Sequence, residues 1–270
     1  MIKTGIQWNF DDEILGGGFP EKHIVLLAGP EGIGKTIFGF EFLYNGAKFF
    51  EQGGLFISLD ESEGRLKSNL VSIGWDDLAR VNVWIASLSA DTKFRIKKKE
   101  RILEAVDTGI TPDEIRNTIK EHIETKEKIK RVVIDPIQGM GLGKGKEIEA
   151  FRLCQYLRAI MDKYDIACCL LISQLMEEDY FWGIEQYAVD AVIKMQKKQL
   201  ADGRFIRTIV VEKNRGTNAK IAEYEFEIRG KDSGVHRITG IINGNREKIY
   251  GIWVYNSSFG VLGGLGWYPK

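Results

Sequence analysis

The sequence lacks several features that define whole classes of protein. Its 270 residues include only 5 prolines and 3 cysteines, and no stretch reaches the roughly 18 apolar residues that a membrane helix needs. The first residues contain no apolar signal core. Basic and acidic side chains both number 38, so the net charge is 0, which argues against a strongly basic nucleic-acid-binding protein. With 44% hydrophobic and 28% charged residues, the chain is neither disordered nor a coiled coil throughout.

The cysteines and histidines indicate neither a disulfide framework nor a metal centre. Cys154, Cys168 and Cys169 lie within apolar patterns, and their number is odd. This usage favours buried thiols in a reducing compartment, so we expect a cytoplasmic protein. The three histidines are far apart in the chain and have no metal-ligand spacing, which argues against a zinc site.

Short apolar runs alternate with helical patterns over the first two thirds of the chain. A capping box with proline at the first helical position begins one of these helices after Thr111. The apolar runs are too short for buried helices and are rich in branched residues, so they predict strands buried on both faces of a parallel sheet that helices cover. These runs span 23–29, 55–59, 81–86, 131–135 and 166–173.

The last third of the chain changes character. Strand-like runs at 191–195, 204–213 and 222–228 follow one another across short turns. The third run alternates apolar and acidic residues, which is typical of a half-exposed antiparallel strand. We therefore predict one α/β domain over 1–270, with a mostly parallel central sheet, antiparallel strands at its C-terminal end and a C-terminal extension at 241–270. Its glycine-rich tail is either a partly ordered extension or a contact with a neighbouring subunit.

Residues 29–36, GPEGIGKT, match the phosphate-binding P-loop pattern G-x-x-x-x-G-K-S/T. The motif lies directly between an apolar run and a helical pattern, which is the context that a P-loop requires. Its glycines allow backbone N–H groups to surround phosphate oxygens at a helix N-terminus. Lys35 would contact the β- and γ-phosphates, and the Thr36 hydroxyl is a suitable ligand for Mg²⁺. The predicted ATP- or ADP-binding residues of this loop are Pro30, Glu31, Gly32, Ile33, Gly34, Lys35, Thr36 and Ile37.

Polar side chains at the ends of other predicted strands complete a candidate site. Asp135 ends an apolar strand, so its carboxylate should emerge beside the P-loop and bind Mg²⁺ together with Thr36. Asp60 and Glu61 follow another strand, where mutual repulsion would raise the pKa of one and suit it to general-base catalysis. The alternative for this acidic pair is a solvated turn. Gln174 follows the run 166–173 and could sense the γ-phosphate.

With these residues in place, the chain resembles the KaiC-like branch of the RecA/RadA ATPase superfamily. The likeness covers about residues 1–230, as one KaiC-type domain. It implies a RecA-like P-loop NTPase fold, slow Mg²⁺-dependent ATP hydrolysis and a homo-oligomeric ring, most commonly a hexamer. The segments that carry the likeness are ILGGGFP (14–20), IVLLAGPEGIGKT (24–36), FEFLYNGA (40–47), ISLDESEGRL (57–66), RVVIDPI (131–137), ISQ (172–174), YAVDAVIKM (187–195) and EKNRGTNAK (212–220).

The resemblance also implies roles for individual residues. The paired catalytic acids of the family fall on Asp60 and Glu61, and we favour Glu61 because the first residue is Asp here instead of Glu. The glutamine that senses the γ-phosphate falls on Gln174.

The K-x-R-G-T segment of the family falls on Lys213, Arg215 and Thr217. In ring-forming relatives this Lys and Arg reach the nucleotide bound to the neighbouring subunit, as an arginine finger does. The alternative is an exposed strand end with ordinary basic residues.

The chain departs from the family pattern in several places. The segment 92–110 has no counterpart, and Lys22 and His23 replace small residues before the first strand. The loop 138–147 should face the ring centre, where Lys144 and Lys146 would either contact a polyanion or remain solvated.

Three functions are consistent with these features. The leading one is an ATP-hydrolysing homo-oligomeric ring with nucleotide between subunits. A recombinase-like ATPase that binds single-stranded DNA is the second, although the balanced charge argues against it. The third is a nucleotide-gated regulatory scaffold with little turnover, and a regulatory protein is a candidate partner.

Overall fold

The computed structural model describes residues 1–6, 10–75, 80–89, 110–126, 128–140, 147–176, 179–180, 185–230, 239–242, 245–248 and 251–255. Three features singled out above lie outside the described residues. They are the segment 92–110 apart from Ile110, the loop lysines Lys144 and Lys146, and the tail from 256 onward.

A central mixed sheet dominates the described part of the chain. Its strands follow the order β12-β9-β8-β7-β1-β5-β4-β2-β3, with β6 attached to β5, while β10 and β11 form a separate hairpin. Strands β7, β1, β5, β4, β2 and β3 are mutually parallel, and β8, β9 and β12 are antiparallel to their neighbours. The predicted sheet is therefore confirmed. The strands are β1 (His23–Gly29), β2 (Gly53–Ser58), β3 (Val83–Ser87), β4 (Ile129–Asp135), β5 (Cys168–Met176), β6 (Asp179–Tyr180), β7 (Ala191–Gln199), β8 (Phe205–Asn214), β9 (Glu223–Arg229), β10 (Thr239–Ile242), β11 (Asn245–Lys248) and β12 (Gly251–Tyr255).

Helices connect the parallel strands. Thr111 begins α3 with the predicted capping box. The Thr111 hydroxyl accepts a hydrogen bond from the Glu114 backbone N–H, and the Glu114 carboxylate accepts one from the Thr111 backbone N–H. In the described part of the chain, no helix has the length and apolar character needed to cross a membrane. The helices are α1 (Lys35–Phe49), α2 (Glu63–Ile73), α3 (Pro112–Thr125), α4 (Glu147–Tyr164) and α5 (Glu185–Ala188), with a π-helical turn at Phe10–Ile14 and a 3-10 turn at Ile137–Met140.

Two hydrophobic clusters occupy the two faces of the sheet. Val25 and Leu27 belong to one cluster, whereas Ile24 and Leu26 belong to the other. Successive residues of a strand point to opposite faces, which explains why β1 is apolar throughout. The edge strand β3 is fully buried only at Val83, but Ile85 packs against one cluster and Trp84 and Ala86 pack against the other. This run is therefore covered on both faces, as predicted, but is only partly buried. As an edge strand, β3 pairs with a neighbour on one side only.

Two further sequence expectations concern the cysteines and the C-terminal extension. All three cysteines are buried thiols that form no disulfide, as predicted. The extension contributes β12 to the central sheet beside β9, which the sequence analysis missed. The Ile252 backbone N–H donates to Oε2 of the fully buried Glu41 on α1 at 2.6 Å. This contact fixes the strand to the helix that follows the P-loop.

Candidate nucleotide-binding site

The parallel sheet brings the predicted site residues to one edge. Gly29 pairs with Gln174 across β1 and β5, and Ser58 pairs with Asp135 across β2 and β4. The carboxyl ends of parallel strands share one sheet edge, where nucleotides bind in open α/β folds. The P-loop, Asp135, Gln174 and the Asp60–Glu61 pair after β2 therefore lie along the same edge, as the sequence predicted.

The P-loop leads directly into α1. Gly34 adopts a φ of 116°, and a Cβ at this position would lie 2.5 Å from Cδ1 of Ile228, so only glycine fits without strain. The Lys35 ammonium donates to the carbonyl oxygens of Gly29 and Pro30, each at 2.8 Å. Burial lowers the pKa of Lys35. Of the other predicted loop residues, Glu31 and Gly32 are exposed, Ile33 is buried and Ile37 is half-buried.

Thr36 and Asp135 form the best-defined contact in the site. The Thr36 hydroxyl donates to Oδ2 of Asp135 at 2.6 Å. The pKa of Asp135 is raised to about 7. Burial is the main cause and the charges of Asp60 and Glu61 contribute, while the hydrogen bond from Thr36 and the charge of Lys35 oppose the rise. A hydroxyl and a carboxylate in contact form the oxygen donor set that Mg²⁺ prefers. These two residues therefore fit the metal role predicted for them.

The acidic pair differs from its prediction in one respect. The raised pKa belongs to Asp60, and its main cause is burial. The expectation that one acid of the pair has a raised pKa is therefore confirmed at Asp60, but the main cause is burial instead of repulsion. Like-charge repulsion acts instead on Asp135, whose pKa both acids raise. Burial disfavours a charged carboxylate whichever residue precedes or follows it in the chain.

Hydrogen bonds hold the backbone of Glu61, while one oxygen of its carboxylate has no hydrogen-bond partner among the described residues. Its backbone N–H donates to Ser58 Oγ at 3.0 Å, and its carbonyl accepts from Ser87 Oγ at 2.8 Å. Among the described residues, the buried Oε2 of Glu61 has no hydrogen-bond partner, and the Arg65 Nε lies 3.8 Å away. An unsatisfied carboxylate oxygen at this sheet edge can accept a hydrogen bond from a water or substrate.

A glutamine that the sequence analysis missed lies beside the predicted Gln174. Gln138 donates through Nε2 to Ser173 Oγ at 2.8 Å, and its Oε1 is a buried atom without a partner among the described residues. The predicted sensor Gln174 follows Ser173 on β5 and is exposed. The sequence signal that could have identified Gln138 is its position three residues after Asp135, at the same end of the strand as the predicted metal ligand.

Lys213 and Arg215 lie at the opposite edge of the sheet. Lys213 pairs with Val192 near the start of β7, and the Arg215 backbone N–H donates to the carbonyl of Asp190, which itself pairs with Ile24. Ile24 precedes Gly29 by five residues, or about 17 Å of strand. The structure therefore separates these two residues from the P-loop of their own chain.

Side-chain contacts hold this second group of residues in place. The Lys213 ammonium donates to the Val189 carbonyl at 2.6 Å, and the Thr217 hydroxyl donates to the Asn214 carbonyl at 3.0 Å. Asn214 in turn donates to the carbonyls of Leu15 and Gly18. The K-x-R-G-T segment is thus fastened to the N-terminal ILGGG segment.

The mixed sheet and the P-loop at its carboxyl edge define a P-loop ATPase domain with the RecA-like architecture. The family described as "ATPase: KaiC" matches residues 2–239, and the chain belongs to this family.

Comparison with relatives supports both the family and the fold. A UPF0273 protein from Aeropyrum pernix is 30% identical over 237 residues, which are 85% of this chain and 91% of that one. A UPF0273 protein from Thermotoga maritima is 31% identical over 238 residues, or 85% and 93% of the two chains. The crystal structure of the KaiC-like protein PH0186 from Pyrococcus horikoshii matches with a TM-score of 0.68 and 25% identity, covering 94% of this chain and 98% of that one. The predicted resemblance is confirmed.

Proposed function

We propose that this protein hydrolyses ATP with Mg²⁺ as a homo-oligomeric ring, most simply of six protomers, with each nucleotide between two subunits. The family is one of ATPases. The observation that carries the proposal is the placement of Lys213 and Arg215 at the sheet edge opposite their own P-loop. Residues so placed can serve a P-loop only if that loop belongs to another protomer.

The P-loop edge supplies the groups for binding and for water attack. The Lys35 ammonium exchanges its two loop carbonyls for the β- and γ-phosphate oxygens, which are stronger partners for a cation. Thr36 and Asp135 would hold Mg²⁺, which neutralises charge on those oxygens when bound. Glu61 accepts a proton as water attacks the γ-phosphorus, the bond to the β–γ bridging oxygen breaks, and ADP and phosphate leave. Gln174 lies beside the loop on β5 and would contact the γ-phosphate.

The opposite edge supplies positive charge to the next protomer. Lys213 and Arg215 would stabilise the charge that builds on the transferred phosphoryl group, as an arginine finger does. Asp60 and Glu61 lie at one edge of the protomer and Lys213 and Arg215 at the other, so a head-to-tail contact would bring acidic and basic side chains together. Such a head-to-tail interface closes into a ring when the rotation permits. Three cysteines that form no disulfide suit a reducing cytoplasm.

A subunit-mixing experiment tests the shared site. Lys35→Ala removes the P-loop contact but keeps Arg215, which is called the finger below. Arg215→Ala keeps the P-loop but removes the finger, so each variant alone should release almost no phosphate. In an equal mixture, about a quarter of interfaces combine an intact P-loop with an intact finger, because each interface draws its two halves independently. Phosphate release should therefore return to about a quarter of the wild-type rate.

The matched control replaces an exposed arginine outside the predicted site. Arg116 pairs with Asp113 on the surface of α3, so Arg116→Ala should retain the wild-type rate. Absence of rescue in rings shown to exchange subunits contradicts the shared site. Nucleotide-dependent changes in oligomeric mass without phosphate release would instead favour a regulatory scaffold, and salt-dependent retention on single-stranded DNA would favour a recombinase-like ATPase.

A further inference from the structure

Three consecutive residues before β7 each hold a cation from elsewhere in the chain. The Ala188 carbonyl accepts from Arg158 on α4 at 3.3 Å, and the Val189 carbonyl accepts from Lys213 at 2.6 Å. The Asp190 carboxylate follows, and its side chain is only 11% exposed. This segment, Ala188–Asp190, therefore contacts both Lys213 and Arg215, the residues proposed to act on the neighbouring protomer.

Two arginines compete for the Asp190 carboxylate. Arg158 takes both oxygens, with Nη1 2.8 Å from Oδ2 and Nη2 3.0 Å from Oδ1. Oδ2 also accepts from the Ile24 backbone N–H at 3.0 Å. Arg215 is left with a longer approach of 3.8 Å to Oδ1, and its side chain remains 57% exposed. The bidentate geometry gives Arg158 the stronger of the two ion pairs.

Asp190 is ionised in this arrangement. Burial disfavours its charged form, but the hydrogen bonds from Arg158 and from the Ile24 backbone outweigh burial and keep the pKa of Asp190 below its ordinary value. A buried carboxylate that lost Arg158 would be strongly destabilised until another cation replaced it. Arg215 already lies within 4 Å and could move to fill that role.

We propose that Arg158 is a positioning residue for the finger: by saturating Asp190, it prevents Arg215 from closing onto that carboxylate and leaves the Arg215 guanidinium available to the neighbouring protomer. This inference rests on the proposed function. Without Arg158, a close Arg215–Asp190 pair forms, and the finger must break it before every engagement. If that pair is worth about 1 kcal/mol, the competent fraction falls roughly fivefold, since 1.4 kcal/mol is tenfold.

Mixed rings allow the effect to be assigned to one chain. The parent mixture contains Lys35→Ala protomers, which supply the finger, and Arg215→Ala protomers, which supply the P-loop. Adding Arg158→Met to the Lys35→Ala chain should reduce the rescued phosphate release about fivefold, with the KM for ATP unchanged. Further adding Asp190→Asn to that chain removes the competing charge and should restore the rescue.

Two controls separate positioning from damage to the fold. Arg158→Met placed in the Arg215→Ala chain has no finger to affect, so the rescued phosphate release should equal that of the parent mixture. Arg152→Met removes an exposed arginine from the same helix and should not reduce the rescue in either chain. If Arg158→Met fails to fold, Arg158→Lys keeps one donor to Asp190 and should give a smaller loss that Asp190→Asn again reverses.

The outcomes distinguish the inference from the function beneath it. Absence of rescue in the parent mixture overturns both. If Arg158→Met leaves the rescued phosphate release unchanged, only the inference is overturned. The inference is also overturned if Asp190→Asn deepens the loss caused by Arg158→Met, because two substitutions that merely damage the fold would have additive or larger effects.

Discussion

Replacing Glu61 with glutamine should separate ATP binding from ATP hydrolysis. Glutamine keeps the shape of the side chain but cannot accept the proton from the attacking water, and loss of a general base costs about 10²–10⁴ in rate. Stability should change little, because the ion pair lost within the described part of the chain is the 3.8 Å contact with the exposed Arg65, and such surface pairs contribute about 0–1 kcal/mol. ATP affinity should also stay close to wild type.

Single-turnover phosphate release at saturating ATP measures this effect directly, with nucleotide affinity and thermal unfolding measured in parallel. Glu63→Gln is the matched control, since Glu63 lies two residues further along and pairs with Lys67 at 2.6 Å on the surface of α2. It should hydrolyse ATP at the wild-type rate. An active Glu61→Gln beside an inactive Asp60→Asn would assign the base to Asp60 instead, and two active variants would refute the base at this position.

Three further predictions test the surroundings of the P-loop. Lys35→Ala should weaken ATP binding about tenfold or more, because a hydrogen bond to a charged group is worth about 1.5–3 kcal/mol; titration calorimetry checks this, and unchanged affinity in a folded variant contradicts the P-loop assignment. Gly34→Ala should lower the free energy of unfolding by at least about 1–2 kcal/mol, since its φ is 116° and its Cβ would meet Ile228 at 2.5 Å; urea denaturation at wild-type stability would exclude this loop conformation. Burial raises the pKa of Glu41 from 4.5 to about 8, so the native state binds the extra proton and wild-type stability should fall as pH rises from about 4.5 to 8. Glu41→Gln should lack this fall, and at pH 9 its free energy of unfolding should exceed that of wild type by up to about 5 kcal/mol. Parallel urea denaturation curves at pH 4 and pH 9 measure the difference, and the same pH dependence in both proteins would contradict a buried Glu41 with a raised pKa.

Local sequence determined the elements and the phosphate loop. The P-loop at 29–36, the capping box at Thr111 and the strand ending at Asp135 each depend on residues that are neighbours in the chain. Their conformations follow from side-chain chemistry within a few residues, such as a glycine at positive φ or a hydroxyl beside a helix N-terminus. The shared sheet edge was also predictable, because parallel strands bring their carboxyl ends together.

Only the tertiary structure decided the contacts that give these residues their properties. Thr36 meets Asp135 across 99 residues of sequence, Arg158 meets Asp190 across 32, and the backbone of Ile252 meets Glu41 across 211. Each contact joins a helix residue to a residue on or next to a strand that does not directly follow that helix in the chain. Burial, which sets the pKa of Asp60 and of Asp135, depends on everything packed around a group, and no local pattern in the chain encodes that sum.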